Sequence, residues 1–395
     1  MRDEFTVKTV VYYVYGDMLP TNVGNKKAMF EYFRYLVSLR EMNLRLCIIG
    51  NVPEAHQTTY REMGAELFVI KPCGRWSSLE VLNKFTSRLG IDMWRTFFSG
   101  LAYRRAFGEI CKDADVVIMN YACWFELLPR SVLKDKTIVL TLDLFFYRRA
   151  SIMGQNFWRR ISVGLNRRME ISVLQRFARV AVLAGYEEKI LEENGIAADR
   201  IIRVGMPLTP PPDHAVGIPF AQRKYDFVYV ASKGRENELT FRCFIESVVP
   251  LLPNRDYSIV VAGGICDTID CTGLPENFRV IRLGFVEDVG SVFGQARIGI
   301  GTVPCGSGIK VKVVEMAMYL LPIVVKNSGA EGIPLRVAGF VNIDQMSEHM
   351  IKSRIEAWLL CPEQAQRDGY ETGMGVRAAF SADNILRPLK SAILN

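Results

Sequence analysis

The chain has 395 residues, of which 49% are hydrophobic and 23% are charged, and its formal net charge is +7. This composition is typical of a folded globular protein and excludes a disordered chain, and the length favours two domains of roughly 150–200 residues each over a single core. No apolar run reaches the ~18–20 residues that a membrane span requires, and the acidic residues before the first predicted strand are not typical of a secretory signal.

Cysteine and histidine usage indicates a cytoplasmic protein without a structural metal. The nine cysteines form no Cys-x-x-Cys pair and are scattered through apolar segments, so we interpret them as reduced core residues. None of the three histidines has a cysteine or histidine partner at metal-site spacing. The only Asp-x-Asp sequence, at 113–115, enters its strand from the amino end, so we expect neither a metal nor another cofactor.

Taken in chain order, the first 205 residues alternate short apolar strands with helical patterns. Strands are predicted at 7–15, 44–50, 67–70, 115–119, 137–141, 180–184 and 201–204. Helices are predicted at 26–42, 59–63, 79–89, 94–111, 157–177 and 187–193. Short apolar strands separated by helices predict a parallel, Rossmann-like sheet.

A proline-rich segment at 206–224 interrupts this alternation. The twenty residues 205–224 hold five prolines, which cannot continue a helix or occupy a central strand, so they predict a linker. The predicted organisation is a Rossmann-like domain at 1–205, the linker, a second Rossmann-like domain at 225–374 and a C-terminal helix at 375–395 that returns to the first domain. Two such α/β domains would face each other across a cleft.

Strands in the second half are predicted at 225–231, 257–262, 278–283, 298–302, 323–325 and 340–343, and helices at 236–252, 289–295, 348–360, 362–371 and 375–394. The strand at 298–302 leads through a turn with Gly306 and Gly308 into a further helix. Such a loop lies where a strand's carboxyl end meets a helix amino terminus, which favours binding of an anion. Lys310, Lys312 and Glu315 lie just inside that helix.

The segment 306–334, GSGIKVKVVEMAMYLLPIVVKNSGAEGIP, resembles the nucleotide-sugar site of GT-B glycosyltransferases, in particular the group related to the retaining "glycosyl transferases group 1" family. That group has a Gly-x-Gly-x-Lys-x-Lys-x-x-Glu run and a later Gly-Ala-Glu-Gly. Weaker matches lie at 227–250 and at 137–149, where relatives carry a His-Asp pair. The resemblance implies transfer of a sugar from a nucleoside-diphosphate sugar to a glycan or lipid-linked acceptor, in cell-surface polysaccharide or glycoconjugate synthesis.

The resemblance also implies site residues. Backbone N–H groups of the glycine turn would approach the diphosphate, a lysine would neutralise the departing diphosphate, and Glu315 would accept hydrogen bonds from the ribose hydroxyls. The implied donor-binding residues are Gly24, Lys233, Asn237, Gly306, Ser307, Gly308, Ile309, Lys310, Lys312 and Glu315. The implied catalytic residues are Asp143 and Lys312. An exposed ion pair of Lys312 with Glu315 on an ordinary helix, and a helix cap by Asp143, are the alternatives.

Three positions depart from the family pattern. Leu320 replaces the small residue that usually begins the Gly-x-Pro sequence before the next strand, which alters packing at the helix end but not the chemistry. Ser307 stands where many relatives have a glutamate, and Leu142 replaces the histidine of the His-Asp pair. A catalytically silent, nucleotide-binding partner of another glycosyltransferase is therefore an alternative function. A nucleotide-sugar epimerase or a sugar phosphorylase is a third, although the sequence shows no lysine site for the pyridoxal group that a phosphorylase would use.

The segment 147–180 contains eight arginines against one acid, Glu170, with aromatic residues interleaved. It is interpreted either as a solvated helix face or as a surface for anionic membrane or a phosphate-bearing acceptor. The residues of that second reading are Arg148, Arg149, Trp158, Arg159, Arg160, Arg167 and Arg168. No nucleic-acid-binding motif accompanies the charge, so nucleic acid is not an expected partner.

Overall fold

The computed structural model describes residues 7–21, 24–71, 97–129, 132, 135–152, 157–212, 216, 218–305, 309–333 and 339–395. The chain divides into two units. Unit 1 comprises Met1–Pro207 together with Ile385–Asn395, and unit 2 comprises Leu208–Asn384. The first division lies inside the proline-rich segment that was predicted to be a linker.

Unit 1 is built on a seven-stranded parallel sheet. In chain order its strands are Lys8–Tyr15 (β1), Met42–Ile49 (β2), Glu66–Ile70 (β3), Val116–Asn120 (β4), Thr137–Leu140 (β5), Arg179–Val182 (β6) and Ile201–Arg203 (β7). Their order across the sheet is β3-β2-β1-β4-β5-β6-β7. The five residues from Val10 to Val14 are fully buried, as expected for a central strand covered on both faces. All seven predicted strands are confirmed.

The helices of unit 1 connect these strands. They are Gly24–Ser38 (α1), Glu54–Glu62 (α2), Phe97–Ile110 (α3), Phe145–Ile152 (α4), Phe157–Leu174 (α5) and Gly185–Glu193 (α6). Helix α4 and a 3₁₀ helix at Ala122–Leu127 were not predicted, because both are too short for a recognisable apolar period. The helix predicted at 79–89 lies outside the described residues.

Unit 2 repeats this design with six parallel strands. They are Tyr225–Val230 (β8), Tyr257–Ala262 (β9), Phe278–Arg282 (β10), Ala296–Gly301 (β11), Ile323–Val325 (β12) and Phe340–Asn342 (β13), in the order β10-β9-β8-β11-β12-β13. The helices that follow are Arg235–Ser247 (α7), Gly290–Phe293 (α8), Val311–Met318 (α9), Glu348–Leu360 (α10) and Pro362–Ala379 (α11). The chain therefore contains two Rossmann-like sheets, as predicted.

The end of the chain was predicted to be one helix over 375–394 that is kinked or interrupted near Pro388; an interruption is present there, but the helix boundaries differ. Helix α11 runs through position 375 without a break, and Ala382–Ile385 (α12) and Arg387–Leu394 (α13) follow as separate helices. The reason is tertiary packing: Gly373 allows α11 to lie against the end of α9, since a Cβ there would be 2.6 Å from the Ala317 carbonyl oxygen. Pro388 lies in the first turn of α13, where proline breaks no helical hydrogen bond.

Leu320 completes this helix contact. It has a left-handed φ of 61°, and its N–H donates to the Ala317 carbonyl at 2.8 Å while the next N–H, of Leu321, donates to Met316 at 3.1 Å. This is a Schellman end with leucine at the position that usually holds glycine. Gly369 accommodates the turn, because a Cβ there would lie 2.1 Å from the Leu320 carbonyl oxygen.

Each sheet has one place where its order reverses direction. In unit 1 it lies between β1 and β4, and in unit 2 between β8 and β11. Ligands of open α/β sheets bind beyond the carboxyl ends of the strands at such a switch point. Within the described residues no helix is long and apolar enough to cross a membrane, and no acidic, cysteine or histidine cluster suits a metal ion. The eight described cysteines are free thiols.

Candidate functional site

Three loops lie side by side at the carboxyl edge of the unit 2 sheet, after β8, β9 and β10. Gly263 has a φ of 91°, and a Cβ on it would lie 2.3 Å from the Ala231 carbonyl oxygen, so this close approach requires glycine. The Gly263 N–H donates to the Gly284 carbonyl at 2.6 Å, and the Ile265 N–H donates to Ala231 at 3.2 Å. The three loops are therefore in contact with one another along this edge of the sheet.

The end of β11 is fixed from both sides. Thr302 is fully buried, and its hydroxyl donates to the Thr240 carbonyl of α7 at 2.9 Å. On the other side the Ser328 hydroxyl donates to the Val303 carbonyl, and a Cβ on Gly329 would lie 2.4 Å from the Gly301 carbonyl oxygen. The chain that leaves β11 consequently runs between α7 and the loop after β12.

Lys312 lies in the first turn of α9, the helix that follows β11. Its Nζ donates to Asn237 Oδ1 of α7, lies 3.4 Å from the Tyr229 hydroxyl and 5.3 Å from the centre of that ring. Burial, opposed by the charge of Glu236 and assisted by that of Lys310, lowers the pKa of Lys312 to about 8. The ammonium group is thus a half-buried cation that is still protonated at neutral pH.

Asn237 connects Lys312 to the loop after β8. Its backbone carbonyl accepts from the Tyr229 hydroxyl at 2.6 Å, and its side-chain amide donates to the Ser232 carbonyl at 2.8 Å. Lys233 lies exposed in that loop. Asn237 and Lys312 are 75 residues apart in the sequence, and the structure brings these two predicted donor-binding residues into direct contact.

Lys310 and Glu315 complete the described part of the predicted site. Lys310 precedes the first turn of α9, and its Nζ lies 4.0 Å from a carboxylate oxygen of Glu331. Glu315 is half-buried one turn into the same helix, and Ile309 is buried. The predicted residues Gly306, Ser307 and Gly308 lie outside the described residues, so their role stays a prediction.

The unit 1 counterpart lies where the loops after β1, β4 and β5 meet. Helix α1 begins at Gly24, and the Asn25 side chain lies near Tyr121, which follows β4, and lowers the pKa of its hydroxyl. Tyr121 has a left-handed φ of 66°, and its ring stacks on Phe145 at a centroid distance of 5.7 Å. Burial, followed by the charge of Asp143, raises the pKa of Tyr121 to about 12. A strained non-glycine residue of this kind is often found at a functional site.

Asp143 lies in the third of these loops, which follows β5. Its Oδ2 accepts from Arg148 Nη1 at 3.1 Å, and the neighbouring Leu142 is buried. The N–H groups of Phe145 and Phe146, at the start of α4, donate to the Glu170 carboxylate at 3.0 and 2.9 Å. The acid of the arginine-rich segment thus caps the helix after Asp143.

Replacement of Glu170 by glutamine is expected to lower the free energy of unfolding by about 1–3 kcal/mol, because an amide offers one acceptor oxygen to two buried N–H donors. Burial raises the pKa of Glu170 to about 8, against the two N–H donors, which lower it. Because the raised pKa means that ionisation of Glu170 is unfavourable in the folded protein, urea unfolding is measured at about pH 4, where the carboxyl is protonated and the variant differs only in its acceptor oxygens. The exposed Glu192→Gln variant is the control, and equal stability of both variants would contradict the cap.

Sequence reasoning missed three groups that lie at these two edges. Asp17, just after β1, accepts from the Tyr60 hydroxyl at 2.6 Å and lies 2.5 Å from His56 Nδ1. Tyr121 and Glu331 were also missed. Each follows a predicted strand by a few residues, and that position was the available signal; Glu331 also lies in the Gly-Ala-Glu-Gly sequence of the family resemblance, although it was not assigned a role.

Part of the predicted basic surface belongs to the described residues. Arg160 and Arg168 are exposed on α5 and flank two exposed apolar residues, Ile161 at 39% and Leu165 at 42%. Arg167 is also exposed, and its guanidinium donates to Asn194. Trp158 and Arg159 belong to α5, but their side chains lie outside the described part, and Arg148 and Arg149 belong to α4.

The structure is similar along almost its whole length to solved glycosyltransferases. The glycosyltransferase from Rickettsia africae ESF-5 is 12% identical, with a TM-score of 0.62 and 98% of each chain covered. HepE from Anabaena, in complex with UDP and glucose, is 12% identical, with a TM-score of 0.63 over 98% of this chain and 99% of that one. Sucrose-phosphate synthase from Thermosynechococcus elongatus is 13% identical, with a TM-score of 0.64 and 98% of each chain covered.

These similarities identify the fold as that of the GT-B glycosyltransferases, which confirms the fold class predicted from the sequence. Identities of 12–13% carry no more than the fold. No family model and no curated protein matches the sequence.

Proposed function

We propose that this protein is a glycosyltransferase that moves a sugar from a nucleoside-diphosphate sugar to a glycan or lipid-linked acceptor. The observation that carries the proposal is the contact between Lys312 and Asn237, which places a half-buried cation at the switch point of the unit 2 sheet. An anion is the ligand that a cation at the amino terminus of a helix favours. In a GT-B fold a diphosphate is the anion that accounts for this arrangement.

The proposed donor chemistry is electrostatic. As the bond between sugar and diphosphate breaks, negative charge grows on the departing diphosphate, and the ammonium groups of Lys310 and Lys312 would stabilise it. Both are preorganised, Lys310 beside Glu331 and Lys312 against Asn237. We propose that these two lysines take the place of a metal ion, and that Glu315 accepts hydrogen bonds from the ribose hydroxyls.

The acceptor is proposed to meet unit 1 at the cluster of Asn25, Tyr121 and Asp143. Asp143 would accept a hydrogen bond from the attacking hydroxyl, and its ion pair with Arg148 would open for this to occur. Tyr15, at the end of β1, adds a ring that is 54% exposed and stacks on Trp124 at 4.4 Å. An exposed aromatic face at this edge suits the apolar face of a sugar ring.

The proposed function is tested with a panel of nucleoside diphosphates and their sugars: UDP, GDP, ADP and dTDP, with UDP-glucose, GDP-mannose, ADP-glucose and dTDP-glucose. UDP comes first, because HepE was solved with it. Calorimetry is expected to show micromolar to millimolar binding of one nucleotide class, and mass spectrometry to show sugar transfer or donor hydrolysis. Binding of no member of the panel would contradict the proposal.

A second candidate function, a catalytically silent nucleotide-binding partner, is favoured by Leu142 and by the ion pair of Asp143 with Arg148. Leu142 leaves unit 1 without an imidazole at that position, and the ion pair occupies the Asp143 carboxylate. The two functions differ in one result. The silent partner would bind the nucleotide but neither hydrolyse nor transfer the sugar, so turnover by the purified protein eliminates it.

The exposed side of α5 is proposed to contact anionic membrane, since exposed Ile161 and Leu165 between arginines suit a lipid interface. Replacing Arg160, Arg167 and Arg168 by alanine is expected to lower co-sedimentation with vesicles of phosphatidylcholine and phosphatidylglycerol by at least about tenfold. Vesicles of phosphatidylcholine alone are the control. Equal binding of the wild-type protein to both kinds of vesicle would contradict the proposal.

A further inference from the structure

We propose that Glu331 recognises hydroxyl groups of the donor's sugar, and that Lys310 moves from Glu331 to the diphosphate when the donor binds. The inference rests on the proposed function and assigns a new residue to the same site. It concerns how the protein distinguishes an intact nucleotide sugar from the nucleoside diphosphate left after transfer.

Glu331 is held in place by the backbone around it. It lies in the loop after β12, which Ser328 and Gly329 fix against the end of β11. The loop is held from its other side by Asp344, which pairs with Lys326 at 2.6 Å and accepts from the Asn327 N–H at 2.9 Å. The residue before Glu331, Ala330, is buried. The backbone therefore holds the Glu331 carboxylate at the same edge of the unit 2 sheet as Lys310.

The Glu331 carboxylate is partly shielded from water and lies beside a cation. The Glu331 side chain is 21% exposed and that of Lys310 is 11% exposed, so both charges are largely removed from water. Burial raises the pKa of Glu331, and Lys310 opposes this. At 4.0 Å the two groups form an ion pair that is too long for a hydrogen bond. Among the described residues, none donates a hydrogen bond to this carboxylate, so its acceptor positions remain available for a ligand.

The charge of Glu331 has opposite effects on the two ligands. A carboxylate beside a diphosphate site weakens the binding of a free nucleoside diphosphate, because like charges repel more strongly where water is excluded. It strengthens the binding of a ligand that also brings hydroxyl donors, because hydrogen bonds to a carboxylate are charge-assisted. Glu331 would therefore favour the intact donor over the product, which promotes product release.

This reasoning predicts opposite changes for two ligands in the Glu331→Gln variant, which keeps the shape and removes the charge. For the nucleoside diphosphate bound most tightly in the panel above, affinity is expected to rise about threefold to tenfold, since Lys310 is no longer held by a carboxylate. For the matching nucleotide sugar, affinity is expected to fall about tenfold. Calorimetry with both ligands gives the ratio.

The matched control is Asp344→Asn. This change removes the ion pair with Lys326 in the same loop but keeps both Lys310 and Glu331. If Glu331 only held the loop in place, both variants would lower the affinity for the nucleoside diphosphate and for the nucleotide sugar by equal factors. An unchanged ratio in Glu331→Gln therefore overturns the inference while the proposed function stands. If the wild-type protein binds no nucleotide of the panel, the proposed function itself fails, and this inference fails with it.

Discussion

Replacement of Lys312 by methionine is expected to weaken binding of the nucleoside diphosphate by about 10- to 150-fold, which corresponds to the 1.5–3 kcal/mol typical of a hydrogen bond to a charged group. Methionine keeps the length of the side chain and its packing beside Tyr229, so the loss reports the charge. The ammonium group is half-buried, so solvent screens its attraction for a phosphate less than that of an exposed lysine.

The same residue predicts a dependence on pH. The protonated form of Lys312 attracts the diphosphate, and burial lowers its pKa to about 8. The protonated fraction is therefore high at pH 7 and falls as the pH rises, so affinity should decrease between about pH 7 and 9. Binding of the diphosphate favours the charged form and raises the pKa, which shifts the decrease to a higher pH in the complex.

Calorimetry at a series of pH values tests both statements. The Lys312→Met variant should lose the decrease above neutral pH as well as affinity, and circular dichroism confirms that it is folded. Lys352→Met is the control, because Lys352 is exposed on α10 and belongs to neither site. Wild-type affinity with an unchanged pH profile in Lys312→Met would show that Lys312 serves only to hold α9 against α7.

Replacement of Glu315 by glutamine is the second change with a large expected effect. The carboxylate is proposed to accept hydrogen bonds from two ribose hydroxyls, and an amide replaces a charged acceptor by a neutral one. Affinity for the nucleotide is expected to fall about 10- to 100-fold, a loss of roughly 1.4–2.7 kcal/mol. The nucleoside diphosphate and the nucleotide sugar should be affected by similar factors, because both carry the ribose.

A 2′-deoxy nucleotide makes this prediction specific. The wild-type protein should bind the 2′-deoxy ligand more weakly than the ribose ligand, and the Glu315→Gln variant should show little of this preference. The affinities of the wild-type protein and of the Glu315→Gln variant for the ribose and the 2′-deoxy ligand form a thermodynamic cycle. Its coupling energy measures the contact between the carboxylate and the 2′-hydroxyl. Glu348→Gln, at an exposed position of α10, is the control. A coupling energy near zero would assign Glu315 a role in helix packing instead.

The two lysines of the site illustrate what sequence reasoning reached. The glycine turn followed by Lys310, Lys312 and Glu315 lies in one short stretch, and its position at a strand's carboxyl end follows from local periodicity. The contact of Lys312 with Asn237 does not follow from that stretch, because it requires β8 and β11 to be neighbours. The prediction for Gly306, Ser307 and Gly308 is unchanged by the structure.

The arginine-rich segment shows the opposite case. Its charge was evident from the sequence, but the single acid within it, Glu170, proved to be a buried helix cap. Helix α4, which it caps, has only eight residues, too few for an apolar period to be distinguished from a loop. Burial of a charged side chain depends on partners that the composition of the segment does not reveal.

The sequence by itself determined the alternation of strands and helices and the proline-rich interruption, because side-chain periodicity and proline geometry act over a few residues. Only the tertiary structure decided which loops meet. In a doubly wound sheet, neighbouring strands need not be consecutive, so Lys312 meets Asn237 and Asn25 lies near Tyr121 across long stretches of chain. It also decided that α11 continues past position 375, since the stabilising contact is with the end of α9.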